Sequence, residues 1–178
     1  DFSWNTSFVY SHNKTEITAL FNQGTVMDMI SGSGFAKQGY PVRTIFSIPF
    51  VGLDEKGRPQ FINEKGEITT SSINFQERDL TDFLKYEGPS DPVYSGSLSN
   101  IFNYKGFHLN IFMTYAFGNV VRLNPVFSGS YTDLTSMTQV IKNRWMVSGD
   151  ENTTHVPGIL AYRDVKENYE LTYGYNAY

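Results

Sequence analysis

Cysteine is absent from the 178 residues. That excludes disulfides and cysteine-bound metal and leaves the redox compartment open. No run of roughly 18 apolar residues occurs, so no transmembrane helix is predicted; spanning strands alternate and are untouched by that absence. Charge is sparse at 18%, below the usual quarter of a globular chain. With a net charge of −4 there is no basic footprint, and no nucleic-acid partner is expected. His12, His108 and His155 are far apart, without the paired spacing of a metal site. SGSG at 31–34 lacks the Lys-Ser/Thr ending of a phosphate loop. DEKG at 54–57 and NEKG at 63–66 lack the ligand spacing of a calcium loop. No G-x-S-x-G elbow occurs. An enzymatic reading therefore has no residue set to stand on, and neither catalysis nor a cofactor is expected.

Aromatic side chains are plentiful, at 16% of the chain, and they follow a pattern. The stretch SLSNIFNYKGFHLNIFMTYAFGN, residues 97–119, alternates apolar with polar and breaks only at Lys105–Gly106. A Gly-containing break between two alternating runs is a two-residue hairpin signal. With Lys105 and Gly106 as the turn, Tyr104 faces Phe107, Phe102 faces Leu109, Asn100 faces Ile111 and Leu98 faces Met113. Gly96 then faces Tyr115, and Tyr94 faces Phe117. Period-two geometry puts all of these on one side. That side is large and apolar or aromatic except at Asn100 and Gly96; the other collects Ser95, Ser97, Asn103, His108 and Thr114, with Ile101–Asn110 and Ser99–Phe112 mixed. Two environments reward such a ribbon. In a soluble antiparallel sheet the greasy side packs on a core. In a transmembrane β-barrel it meets lipid while the polar side lines a wet lumen.

The rest of the chain also reads as β-structure. Residues 2–11 alternate, with Phe2, Trp4, Thr6, Phe8 and Tyr10 on one face; Asn13–Lys14 is a turn candidate and 15–21 a return strand. Residues 23–39 are glycine-rich loop, with VMDMI a candidate short strand. Residues 40–53 form one apolar strand that Pro49 marks as an edge, a bulge or a bend. DEKG and NEKG are small hairpin turns, and RDLTDFLKYEG is expected to carry a helical turn with Leu80, Phe83 and Leu84 on one side. Residues 119–167 are long, irregular and rich in Gly, Asn and Thr. Leu134, Met137, Val140 and Ile141 are spaced for a short helix there. Connections this long are usually functional, and outer-membrane barrels place short turns on one side and long loops on the other. Within this loop Arg144–Trp145, with Tyr131, is a candidate ligand-facing platform, because Trp faces stack on sugar rings and cations. The plainer alternative has Trp145 pinning the loop onto a neighbour. The chain opens on DFSWNTSFVYSH and stops on YELTYGYNAY, both in mid-pattern, and is expected to be a segment of a longer polypeptide.

Four stretches taken in order carry a resemblance: DFSWNTSFVYSHNKTEITALF, GYPVRTIFSIPFVGLDEKGRPQF, PVYSGSLSNIFNYKGFHLNIFMTYAFGN and KNRWMVSGDENTTHVPGI. The P-x-Y-x-G-x-x-x-N-x-F-x-Y-K-G-F hairpin (Pro92 to Phe107) and the N-R-W-x-x-x-G-D-E run (Asn143 to Glu151) are the most specific. Together they resemble the later barrel strands of the SusC/RagA family of TonB-linked outer-membrane receptors. The resemblance implies an all-β fold in which residues 1–178 are antiparallel strands and hairpins of a large, plugged transmembrane β-barrel. It implies import of oligosaccharides, peptides or similar nutrients across the outer membrane of a Gram-negative bacterium. The implied partners are a SusD-like surface lipoprotein, the TonB complex acting through a plug, and outer-membrane lipid. No plug, TonB box or closing strand matches within these residues, so the family's activity is expected of a larger protein. On this reading Tyr94, Leu98, Phe102, Tyr104, Phe107, Leu109, Ile111, Met113, Tyr115 and Phe117 face lipid. Lys105–Gly106 is periplasmic and 119–167 extracellular. The rival from another class is a soluble β-sandwich, such as a carbohydrate-binding module, in which Leu98, Phe102, Leu109 and Met113 would pack under a second sheet of the same chain.

Overall fold

The computed structural model describes residues 1–123 and 139–159. The eight strands described are antiparallel wherever they pair, and helix is confined to short turns. The described residues are of the all-β class, as expected.

Three long strands form one sheet: β1 (Phe2–His12), β7 (Tyr94–Tyr104) and β8 (Phe107–Phe117), in the order β1-β7-β8. Each has eleven residues, and none of those residues is Asp, Glu, Lys or Arg. The β7–β8 register is the one the alternation predicts, rung by rung from Tyr104↔Phe107 to Tyr94↔Phe117. The turn is closed by Lys105 at φ 45° and Gly106 at φ 89°. Two successive positive φ values match the right-handed strand twist, and Gly adopts the second at little cost.

The partner of β1 differs from expectation. Residues 15–21 do not return as a strand; β1 pairs with β7 over its whole length, from Phe2↔Tyr104 to His12↔Tyr94. The reason is the match of patterns. Eleven rungs against β7 align every ring of β1 with the ring face of the hairpin, which TEITALF could not do. Residues 13–93 thus form one insertion between two hydrogen-bonded neighbours. Its ends meet where the Asn13 amide donates to Val93 O at 2.9 Å.

The insertion carries its own core. The expected strand over VMDMI is instead helix α1 (Val26–Ile30). Thr25 and Asp28 form a reciprocal capping box at its start, and Val26, Met29 and Ile30 bury one helical face. The expected single strand over 40–53 is two: β2 (Thr44–Ser47) and β3 (Phe50–Leu53), parted at Pro49, which cannot donate to a ladder. DEKG and NEKG close hairpins that join β3 to β4 (Pro59–Ile62) and β4 to β5 (Ile68–Thr69). Asp54 and Asn63 each cap their turn by accepting two backbone N–H bonds. Of the helical turn expected over RDLTDFLKYEG, a single turn forms, in which the Leu84 amide donates to Thr81 O at 3.2 Å, and it does not continue into a helix. The Glu77 carboxylate accepts the amides of Arg78, Asp79 and Leu80 just before that turn. The chain then enters β6 (Lys85–Pro89), which pairs with β2. Leu84 is buried in the core and Phe83 packs against it, whereas Leu80 stays exposed. Phe46, Ile48, Phe61 and Ile73 complete the cluster with α1.

Of the helix read around YTDLTSMTQVIKNRW, residues 124–138, with Tyr131, Leu134 and Met137, lie outside the described residues. From residue 139 onward the chain makes a 3-10 turn at Gln139–Asn143 and another at Asp150–Asn152. No helix among the described residues is long and apolar enough to cross a membrane, which says nothing of crossing by strands.

Candidate functional site

The largest chemical feature is the ring face of the β1-β7-β8 sheet. Alternation places Phe2, Trp4, Thr6, Phe8, Tyr10 and His12 of β1 beside the hairpin face that runs from Tyr94 to Phe117. The rings gather toward the two ends. At one end His12 stacks on Tyr94 and Tyr94 on Phe117, each with centroids 4.9 Å apart. Tyr10 and Tyr115 join them. At the other end are Phe2, Tyr104 and Phe107, with Trp4 stacked on Phe102 at 5.8 Å. Leu98, Ile111 and Met113 lie between. Nothing among the described residues covers this face. Phe8 is 64% exposed, Leu109 56% and Met113 50%, and the β7 residues are half-buried only because strands flank them on both sides.

The two exceptions in the ring face are accounted for. Asn100 Oδ1 accepts from the Trp4 indole at 3.0 Å and from the Thr6 hydroxyl at 2.8 Å, so the amide on this face has partners on β1. Gly96 leaves the space that Tyr115 lies across, since a Cβ there would meet the phenol oxygen at 2.4 Å. The Tyr115 hydroxyl reaches past it to donate to Val9 O at 3.0 Å. Sequence reading placed the hairpin residues correctly on one face but missed the contribution of β1. The signal was present, because β1 has the same alternation and the same lack of charge.

The opposite face is small and polar. Ser3, Asn103 and His108 form a hydrogen-bonded row across the three strands near the Lys105–Gly106 turn. Ser7, Ser97, Ser99, Asn110 and Thr114 continue the face, and Val9, Ile101 and Phe112 are its apolar exceptions, with Phe112 62% exposed.

Among the described residues, the long connections leave the sheet at the His12–Tyr94–Phe117 end, and the short Lys105–Gly106 turn is at the other. Beyond β8 the chain is tied to the insertion. The Val120 amide donates to Pro89 O at 2.8 Å, and the Arg122 guanidinium donates to Phe46 O at 2.7 Å. Burial pushes the Arg122 pKa down, and Glu87 opposes that shift. Burial also disfavours the Glu87 carboxylate, but Ser47, Lys85 and Arg122 outweigh it and leave its pKa lowered.

Arg144 and Trp145 lie in the segment after the first 3-10 turn. The Arg144 guanidinium donates to Ile141 O at 3.3 Å. Trp145 is engaged on several sides: its indole N–H donates to Glu151 Oε2 at 2.9 Å, its backbone amide donates to Val156 O, and its ring lies on the backbone of Gly57 and Gly158. The Trp145 indole, the Glu151 amide and the Gly149 amide together hold the Glu151 carboxyl below its ordinary pKa. The pinning contact anticipated for Trp145 is present; Tyr131, its expected companion, lies outside the described residues. No group of metal-ligating side chains occurs among the described residues.

No family model matches the chain, and no curated protein matches it.

Proposed function

We propose that the β1-β7-β8 sheet is a portion of the wall of a transmembrane β-barrel, and that the chain belongs to an outer-membrane, TonB-dependent nutrient importer of the SusC/RagA kind. One observation carries this reading: an uncharged ring face with no cover among the described residues, backed by a face of Ser, Asn and Thr. Exposed apolar patches of this kind call for a second molecule or a lipid phase. Strand length fits lipid. Eleven residues at about 3.4 Å each, tilted by about 45°, span roughly 25 Å, the height of an outer-membrane apolar band. The rings at both ends sit where interfacial girdles belong. Both outer edges of the sheet are open among the described residues, as in a section of a larger closed sheet. Turn asymmetry then makes Lys105–Gly106 periplasmic and the insertion 13–93 extracellular, together with the described residues that follow β8. A SusD-like lipoprotein over that mouth and the TonB complex below are the partners this role requires, and its chemistry is transport without catalysis.

The soluble β-sandwich needs a second sheet over Leu98, Phe102, Leu109 and Met113, and no element among the described residues lies there. Cell fractionation of the full-length protein tests the proposal. Recovery with outer membranes, released only by detergent, is expected; a water-soluble periplasmic species would overturn it.

A further inference from the structure

The turns DEKG and NEKG are near twins in sequence and backbone, but only the first has a neighbour at its glycine. Gly57 and Gly66 both close their turns in the left-handed region, at φ 72° and 78°. A Cβ on Gly66 would point into open space, whereas a Cβ on Gly57 would lie 2.5 Å from the Trp145 indole. The Gly57 carbonyl also accepts the Gly158 amide at 3.0 Å, and Gly158 lies against the same indole from the other end of the segment. We propose that residues 143–158 form a detachable strap that docks on the DEKG turn, with Gly57 as its socket.

The strap holds its own shape. Trp145 N–H to Val156 O closes it, and the Thr154 hydroxyl donates to Asn143 O. The Asp150 carboxylate accepts the amides of Met146 and Val147, and Glu151 joins Trp145 to Gly149. Its attachment is narrow by comparison and centres on Pro157 and Gly158, which are buried. Beyond the Gly57 socket, His155 meets the edge of the Phe50 ring at 6.0 Å. No strap residue belongs to the core cluster around Phe46 and Phe61, and Met146 and Val147 stay exposed. Segments with few buried contacts open at free energies well below global unfolding. The strap therefore leaves the socket without unfolding either itself or the core. Docked, it brings Glu151 to the edge of a polar groove lined by Asp54, Lys56, Arg58 and Gln60. This inference concerns a motion of the fold and does not rest on the membrane reading.

Amide hydrogen exchange on the full-length protein, comparing G57A with G66A, tests it. Both substitutions place Ala at nearly the same strained φ, so local strain is matched and only docking differs. In G57A the Gly158 amide should exchange at least tenfold faster, while the strap's internal Trp145 amide and the Phe46 and Phe61 amides of the core keep their protection. In G66A the Gly158 amide should be unchanged. Equal effects of the two variants on Gly158, or loss of core protection together with the strap in G57A, would overturn the proposal.

Discussion

Phenylalanines of the insertion's core and phenylalanines of the sheet meet opposite surroundings. In the insertion Phe46 and Phe61 are 1% and 0% exposed; in the sheet Phe8 and Phe112 are 64% and 62% exposed. The insertion surrounds its rings with charged residues, among them the ion pairs Lys37–Asp82, Arg43–Asp91 and Arg58–Asp54, whereas the strands of the sheet carry no charge. The insertion is organised for water outside and protein inside. The sheet has no such inside among the described residues, so whatever covers its ring face lies outside them. Sheet strands without a hydrophobic layer are marginal in water, and that difference is what supports the proposal that the two halves meet different solvents.

The largest effect that can break this contrast is in the insertion. Phe46→Ala should cost about 3–5 kcal/mol, the usual range for an emptied aromatic site in a packed core. Denaturant unfolding would read it, and a loss under about 1 kcal/mol would mean that the cluster is not a core. Next comes charge on the sheet. Ile111→Arg, at the middle of β8, should cost about 2–4 kcal/mol in lipid vesicles, and Asn110→Arg on the other face about 0–1 kcal/mol. Equal costs in folding titrations would contradict the assignment of faces. Removing the α1 cap is a smaller perturbation: Thr25→Ala should cost about 1 kcal/mol, read as a lowered midpoint for the insertion with the sheet unaffected. The smallest effect is on pH. The Glu151 carboxyl is held below its ordinary value, so the strap gains stability that is complete above about pH 4.5. That gain is lost as pH falls through the lower folded value. Trp145 protection should therefore decline in acid, and Glu151→Gln should flatten the decline.

Legibility followed the same division. The β7–β8 ribbon was readable rung by rung because one rule, period two, governs it from Tyr94 to Phe117. The DEKG and NEKG turns were readable because Asp54 and Asn63 cap their own backbone. Elsewhere the apolar pattern misled. Thr25 and Asp28 form a capping box that turned an apparent strand into α1, and the turn expected over RDLTDFLKYEG closes with one bond, Leu84 N–H to Thr81 O, before β6 begins. The pairing of β1 with β7 needed a comparison of patterns far apart in sequence, which no local turn signal reports. The docking of Trp145 on Gly57 was anticipated only as a pin, since nothing near either residue names the other.

The meeting of Asn13 with Val93 has a further consequence. An insertion whose two ends emerge side by side behaves like a cassette. The pairing of β1 with β7 needs only that His12 and Tyr94 be neighbours, and lengthening such a connection raises its closure entropy only as a logarithm. Residues 14–92 are thus exchangeable in principle for a tight turn, or for another small domain with adjacent termini, and the three-stranded sheet would keep its register while what it carries at that end became something else.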